Sequence, residues 1–233
     1  MFRLSKTTKF GTQVKDMVET KDGIVARLVS MNGRDLTPQE RLADDARLDN
    51  LQQDPKEQQR KLSDQKKDQE RFLSLVRALP DALLYSDDGR QELDGRETVR
   101  LKFRPNPAFH STAKETIIFR AAEGHIWIDA AELRIAKFQG ATTSDINIGW
   151  GLLGHIDKGS KMEIEQRRLG ENKWRLSRLL LEGNGNILLF KTLTLKQQQT
   201  ATNFQPVPAN LSLGDGVALL KKQTSVLAKQ ESR

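Results

Sequence analysis

The three histidines are the residues best suited to bind a metal, but their spacing does not support a metal site. His110, His125 and His155 lie 15 and 30 residues apart. No two of them have the i, i+4 spacing that places two ligands on one face of a helix. A metal site would need three separate strands or loops to converge, and we predict neither a metal nor any other cofactor.

Nucleophilic and phosphate-binding motifs are also missing from the sequence. The chain has no cysteine, which excludes disulfides, thiolate zinc sites and cysteine nucleophiles. Ser160 and Ser177 lie outside any G-x-S-x-G pattern, which presents a catalytic serine at a strand-to-helix turn. The glycines of residues 149–151 and 183–185 do not join a strand to a helix, as a phosphate-binding loop does. We predict that the protein is not an enzyme.

One pair of carboxylates has a spacing that could support hydrolysis. Glu163 and Glu165 alternate with apolar residues, so both project from one face of a predicted strand. The opposite face carries the residues to be buried, which favours a water-facing pair of acids beside Arg167 and Arg175. The ordinary interpretation is therefore a polar strand face.

The net charge of +7 raises the question of a nucleic-acid partner. Residues 37–78 contain nine Lys/Arg and nine Asp/Glu, so the chain has no concentrated basic arm there. Arg100, Lys102 and Arg104 could form a basic strand face, but few aromatic residues are available to stack on bases. We predict no nucleic-acid partner and keep a cytoplasmic nucleic-acid binder as the third hypothesis.

The sequence does not define the compartment directly. It contains no run of eighteen apolar residues, and its start, MFRLSKTTKF, lacks the apolar segment of a signal peptide. We therefore expect either a cytoplasmic protein or a chain whose Met1 follows a removed leader.

Strand and helix signals alternate in the first third of the chain. Residues 12–20 and 24–31 predict a β-hairpin with its turn at Lys21-Asp22-Gly23. Thr37-Pro38-Gln39-Glu40 and Asp54-Pro55-Lys56-Glu57 each combine a capping residue, a proline at the first helical position and a glutamate two residues later. They predict two charged helices, the second running to about Leu79 before Pro80. We expect the second helix to project from the body and to dock at its apolar C-terminal end.

Period-two patterns dominate the remainder and predict a meander of about ten antiparallel strands in all. A twisted sheet of this size curls. The predicted fold is mainly β with α: a curved antiparallel sheet forming an open half β-barrel, with a charged helical insertion and a short C-terminal helix. We predict a single domain, 1–233, made of an N-terminal hairpin (1–36), the insertion (37–79), the meander (80–206) and the tail (207–233). Beyond residue 83 the predicted strands are 99–103, 116–120, 125–129, 133–138, 146–153, 162–169, 174–182 and 187–196.

Two hairpins resemble a known family. Both are similar to strand pairs of the outer-membrane lipoprotein-sorting proteins. The first hairpin is Gly124-His125-Ile126-Trp127-Ile128-Asp129 followed by Leu133-Arg134-Ile135-Ala136-Lys137. The second runs from Trp174 to Ser177 and continues through Gly183 to Lys191. The layout is most similar to an uncharacterised soil-bacterial branch of these LolA- and LolB-like periplasmic carriers. The resemblance implies an unclosed β-barrel capped by helices, an apolar cavity for acyl chains, and carriage without catalysis in the periplasm or cell envelope. The Lol-type carriers lack a charged helical hairpin like residues 37–79.

The implied ligand is a lipid or an acylated protein, and peripheral membrane contact is compatible with it. Plain core packing is the alternative interpretation of every predicted lining residue. A second hypothesis is an envelope interaction module that binds a protein partner through the charged helices. The ligand and the oligomeric state stay open. The predicted hydrophobic ligand-binding residues are Phe138, Ile148, Trp150, Trp174, Leu176, Leu188 and Phe190.

Overall fold

The computed structural model describes residues 1–148, 154–187 and 195–231. Its main element is an antiparallel sheet of eleven strands that is not closed, which confirms the predicted mainly β class. The strand order is β4, β3, β2, β1, β14, β12, β11, β8, β7, β6, β5, while β13, β10 and β9 form a small second sheet. In chain order the described strands are β1 (Phe2–Thr8), β2 (Gly11–Thr20), β3 (Gly23–Met31), β4 (Arg34–Asp35), β5 (Leu83–Leu93), β6 (Arg96–Pro105), β7 (Ala122–Asp129), β8 (Ile135–Thr142), β9 (Ile146–Ile148), β10 (Gly154–Ile156), β11 (Lys161–Gly170), β12 (Lys173–Glu182), β13 (Gly185–Ile187) and β14 (Gln197–Thr202).

The charged helices begin where the capping signals predict. Helix α1 spans Pro38–Gln53 and α2 spans Pro55–Ala82. The Thr37 hydroxyl accepts from the Glu40 backbone N–H at 3.2 Å, and the Glu40 carboxylate accepts from the Thr37 N–H at 2.8 Å. Asp54 supplies one half of this device, because its carboxylate accepts from the Lys56 and Glu57 N–H groups, while its own N–H donates to the Asn50 carbonyl. Local side-chain chemistry thus sets both helix starts.

The end of α2 differs from the prediction. The helix continues through Pro80 to Ala82 instead of stopping at Leu79. Pro80 has no N–H group, so the carbonyl of Val76 loses its helical hydrogen bond. Val76 is exposed, and water can therefore bond to this carbonyl. Tertiary contacts then satisfy the last turn. The Tyr85 hydroxyl donates to the Leu79 carbonyl at 2.8 Å, and Asn106 N–H groups donate to the carbonyls of residues 81 and 82.

The chain divides into two compact units, which we call unit 1 (residues 1–67 and 200–233) and unit 2 (residues 68–199). In unit 1, α1 and α3 (Leu213–Glu231) pack against one face of β2 and β3. The predicted hairpin is confirmed, with Thr20 opposite Gly23 in its register. The predicted C-terminal helix is also confirmed. The buried core of unit 1 consists of Val18, Val25, Leu48, Leu51, Leu213, Val217 and Leu220.

Side chains of α1 and α2 cover the outer edge of β3. Gln65 bonds to both backbone groups of Ile24, its amide oxygen accepting at 3.1 Å and its amide nitrogen donating at 3.4 Å. Further along the strand, Arg47 donates to the Ala26 carbonyl at 2.6 Å and Asp44 accepts from the Leu28 N–H at 3.0 Å. These side chains occupy the positions that another strand would take. The expectation that α2 docks only at its C-terminal end is therefore wrong.

Replacing Gln65 with alanine should expose this edge. The loss of two hydrogen bonds at half-buried positions should lower the free energy of unfolding by about 1–2 kcal/mol, with faster amide hydrogen exchange at Ile24. Gln59→Ala, on the exposed side of the same helix, is the matched control and should leave both quantities unchanged. Equal effects of the two substitutions in urea unfolding and exchange would show that Gln65 does not protect the edge.

Unit 2 departs from the predicted meander at residues 116–120. The β-branched segment predicted a strand, but Lys114–Arg120 is a 3₁₀ helix. The Thr116 hydroxyl donates to the Ala113 carbonyl at 2.7 Å, and the tight turn sends Ile117 and Phe119 into two different apolar clusters. A strand would direct both to one face, so tertiary packing overrides the strand preference here.

Other boundaries shift as well. The pattern predicts a strand from Leu133, but this residue has a φ of 52° and is 78% exposed, and β8 begins at Ile135. The prediction assigns no strand to β1, β4, β5, β10 or β14. The predicted strands 146–153 and 187–196 begin as β9 and within β13, but residues 149–153 and 188–194 lie outside the described residues.

Candidate ligand-binding surfaces

Phe138 lies in the packed core of unit 2. Its ring stacks on that of Phe103 with 4.9 Å between centroids, and it is 7% exposed. Leu75 and Leu79 of α2 and Phe119 of the 3₁₀ helix belong to the same cluster. Side chains from helix and sheet therefore fill the space around this predicted lining residue.

Ile148 lies in a second cluster and lines a small pocket. Ile146 and Ile156 pack with it, and it is 3% exposed. The pocket has a volume of about 180 Å³, below the roughly 300 Å³ at which small-molecule sites usually begin. It could hold a short apolar group beside the guanidinium of Arg120. The other residues lining it are Phe109, Ser111, Thr112, Ala113, Thr116 and Ile117.

Trp174 belongs to a charged cluster instead of an apolar surface. Its indole N–H donates to the Glu132 carboxylate at 2.7 Å, and the Arg96 guanidinium lies 5.8 Å from the ring centre. Arg168 also pairs with Glu132. The indole N–H and then Arg168 lower the pKa of the Glu132 carboxyl.

Asp129 is the buried centre of this cluster. Its carboxylate is 1% exposed and accepts from Arg96 at 2.6 and 2.8 Å, and it also accepts from the backbone N–H groups of Ala131 and Glu132. The Arg96 guanidinium is the main cause that lowers the pKa of Asp129 to about 2. These bonds fix the turn between β7 and β8, which explains structurally why an aspartate ends the Trp127-Ile128-Asp129 strand.

The other predicted lining residues do not complete a shared surface with these. Leu176 is 42% exposed, at a position of β12 opposite Gln166. Trp150, Leu188 and Phe190 lie outside the described residues. The four described residues of the predicted set thus occupy two packed clusters, one charged cluster and one exposed strand position.

Unit 1 presents an apolar surface that the sequence analysis missed. Phe2, Met17 and Ala26 are directly opposite one another across β1, β2 and β3, as are Leu4, Lys15 and Leu28. Directly opposite residues share a sheet face, so both rows lie on the face opposite Val18 and Val25, which contact α1 and α3. We call this the Phe2 face. Its apolar members Phe2, Leu4, Met17, Ala26 and Leu28 are all half-buried.

The Phe2 face also carries two lysines. Lys6 follows Leu4 on the same face of β1, and Lys15 lies in the second row. Burial lowers the pKa of Lys6, Lys15 and Lys61, and positive neighbours lower each further: Lys15 acts on Lys6, while Arg47 acts on the other two. The alternation Phe2, Leu4, Lys6 was the available sequence signal. The approach of Lys61 from α2 had none.

The paired carboxylates of unit 2 lie on a polar strand face, as the ordinary interpretation predicts. Lys137 lies 3.4 Å from Glu163 and 2.8 Å from Glu165, and Arg178 lies 3.5 Å from Glu163. Arg167 follows on the same strand and lies 3.4 Å from Asp94. Both acids are thus ion-paired across β8 and β11.

The histidines lie apart from one another. His125 is 3.1 Å from Asp88, His155 lies between Asn147 and Asp157, and His110 is exposed. Within the described ranges, no group of three or more His, Cys, Asp or Glu side chains is placed to bind one metal ion.

None of the described helices combines the length and the apolar character needed to cross a bilayer. Comparisons with protein-family models, with curated proteins and with solved structures gave no significant match.

Proposed function

We propose that this protein is a non-catalytic carrier or receptor of the periplasm or cell envelope, which binds a lipid, an acyl chain or an acylated protein against the apolar face of an open half β-barrel. The resemblance of the two hairpins to lipoprotein-sorting proteins motivates the proposal. An unclosed eleven-stranded antiparallel sheet with helices is compatible with it.

The Phe2 face is the observation that carries this proposal. A sheet normally buries its apolar face against another layer, and in unit 1 the helices α1 and α3 contact the Val18 face. The Phe2 face nevertheless carries four large apolar side chains that remain half-buried, Phe2, Leu4, Met17 and Leu28, and Phe204 stacks on Phe2 with 5.6 Å between ring centroids. Acyl chains are a suitable ligand for such a surface, because contact with them removes apolar area from water.

The proposal predicts saturable binding of a fluorescent fatty acid to the purified protein. The double substitution Leu4→Gln with Met17→Gln should weaken this binding about 10-fold, since it removes two large apolar contacts. Leu42→Gln, at a residue 69% exposed on α1, is the matched control and should bind as the unchanged protein does. Mass spectrometry should also detect copurified acyl chains. A protein that neither binds the fatty acid nor copurifies with lipid is not such a carrier.

A second candidate function is an interaction module that acts through α2. Phe72, Leu73 and Val76 are 49%, 38% and 36% exposed, and they border Leu75 and Leu79, which pack against the core of unit 2. Exposed apolar side chains at this spacing form a stripe that a protein partner could cover.

The two candidates respond differently to one variant. Phe72→Gln with Val76→Gln should abolish capture of an envelope protein from cross-linked cells while leaving fatty-acid binding unchanged. Exposed Leu42→Gln again serves as the control. The interaction function is contradicted if both variants capture the same purified partner with equal affinity.

A further inference from the structure

Among the described strands, β5 forms one end of the eleven-stranded sheet and pairs with β6. The Ala130 N–H donates to the Glu97 carbonyl at 3.0 Å, so the odd-numbered residues of β6 bond to β7 and the even-numbered residues bond to β5. Residues of β5 opposite the odd-numbered ones therefore direct their backbone N–H and C=O groups away from the sheet. These include Tyr85, Asp87, Arg90 and Glu92.

A bulge in the middle of β5 determines where its charged side chains point. Asp87 and Arg90 are opposite β6 residues that are two positions apart, although they are three positions apart themselves. One extra residue is therefore accommodated between them, with Gly89 at a φ of 88°. Residues two positions apart on a strand share a face, so Asp87 and Arg90 point to the same face of the sheet.

The sequence of β5 is complementary to itself about this bulge. An antiparallel second copy of β5, related by a twofold axis at the bulge, would place Asp87 of each copy opposite Arg90 of the other. Opposite charges would thus meet twice. The other opposite residues would be Leu84 with Leu93, Tyr85 with Glu92, and Ser86 with Gln91.

The backbone of β5 favours the same register. In this register Asp87 is opposite Arg90 and Tyr85 is opposite Glu92, and all four have outward-facing N–H and C=O groups. Each of these pairs can exchange two hydrogen bonds between the copies. A shift by one residue would place Tyr85 opposite Gln91, whose carbonyl faces β6 and accepts from the Thr98 hydroxyl. Side chains and backbone therefore select one register.

The charged groups of β5 are accessible to a second copy. The Arg90 side chain is 66% exposed and lies 2.6 Å from Glu97, and the exposed Asp87 carboxylate accepts from the Gly89 N–H at 2.8 Å. A guanidinium has five N–H donors and a carboxylate has two oxygens, so both can form a further bond. A bulge usually protects an edge strand, but in the twofold pair the two bulges coincide and the ladder resumes on both sides.

We infer that two copies of this protein form a twofold-symmetric dimer by antiparallel pairing of their β5 strands. Asp87 of each copy bonds to Arg90 of the other. A second copy fits this edge better than an unrelated strand, because an unrelated strand would satisfy the backbone groups without matching both charges. The inference goes beyond the proposed function and does not depend on lipid binding.

Charge reversal tests the inference by sedimentation velocity over a range of protein concentrations. We expect the unchanged full chain to dimerise reversibly. Asp87→Arg opposes two cations in each pair and Arg90→Asp opposes two acids, so each substitution should raise the dissociation constant of the dimer about 30-fold. An equimolar mixture of the two variants should dimerise as the unchanged protein does, because each pair again joins opposite charges.

Two exposed residues of β12 provide the matched controls. Glu182→Arg and Lys173→Asp make the same charge changes away from the β5 edge and should leave the dissociation constant unchanged. Recovery of the dimer in the mixture would also show that the two β5 variants are folded.

Three results would overturn the inference. The first is an unchanged protein that stays monomeric at its highest soluble concentration, as expected if the edge accepts an unrelated strand instead. The second is a dimer that the β5 and β12 substitutions affect equally. The third is a mixture of the β5 variants that dimerises no better than either variant alone. Fatty-acid binding tests the carrier function separately, and its failure would leave the dimer standing.

Discussion

Replacing Asp129 with alanine should lower the free energy of unfolding by about 3 kcal/mol. The substitution leaves the Arg96 guanidinium without its bidentate partner and removes the acceptor of two backbone N–H groups in the β7–β8 turn. The two backbone N–H groups are the main cost, because they lose their acceptor in a buried turn, whereas Arg96 is 29% exposed and keeps Glu132 at 4.0 Å. Urea unfolding of the two proteins measures the difference.

The ion pair between Asp94 and Arg167 provides the control. Its side chains are 67% and 55% exposed, and the N–O distance is 3.4 Å. Arg167→Ala, which removes the same ion pair from the strand side, should therefore cost under about 1 kcal/mol. If the two alanine substitutions destabilise the protein equally, burial does not make the Asp129 pair stronger. Arg96→Met combined with Asp129→Leu should recover part of the loss, since it leaves no unpaired charge.

The same pair gives stability a dependence on pH. The pKa of Asp129 is lowered from its ordinary 3.8 to about 2. A carboxyl whose pKa is lower in the folded state stabilises the fold fully above its unfolded value. This contribution is lost as the pH falls from about 4 through about 2. Stability should thus fall more steeply over this range in the unchanged protein than in Asp129→Asn.

Replacing Gly124 with alanine should cost about 2–4 kcal/mol. A Cβ at this position would lie 2.0 Å from the Gln139 carbonyl oxygen and 2.7 Å from the Cα of Gly140. Both atoms belong to the backbone of β8, so no side-chain rotation relieves the clash and the strands must move apart. Circular dichroism during urea unfolding measures the loss.

Gly170→Ala tests whether the cost comes from the close approach of the strands. The nearest atom to a Cβ at Gly170 is the Lys173 Cδ at 3.9 Å, an ordinary contact. The free energy of unfolding of the Gly170→Ala protein should stay within about 0.5 kcal/mol of that of the unchanged protein. A comparable loss at both glycines would assign the effect to general strand propensity.

Elements with local signals could be predicted from the sequence. The Thr37 and Glu40 side chains bond within four residues of one another, so their types alone define the start of α1. The hairpin of residues 12–31 combines alternation with a short turn. In both cases neighbours in sequence supply the stabilising contacts.

Elements that depend on distant contacts could not be predicted in the same way. The segment 116–120 has strand-forming residues, and two clusters distant in sequence hold it as a 3₁₀ helix. The extension of α2 past Pro80 depends on Tyr85 and Asn106. Propensity does not include such contacts.

The candidate site shows the same division. Apolar residues were expected to line a ligand surface, but the sequence could not distinguish Phe138, which a helix covers, from Met17, which remains half-buried. The position of α2 beside β3 had no sequence signal. It is shown by the bonds of Gln65 to the backbone of Ile24.

The covered edge of β3 also limits how copies of this protein can assemble. At that end of the strand order, helix side chains occupy the backbone groups of Ile24, Ala26 and Leu28, and β4 adds two residues. Strand β5 forms the opposite end. In two copies paired through β5, the edges left at the outside would be the covered β3 edges. Growth of the eleven-stranded sheet by strand addition would thus stop at a closed pair of copies.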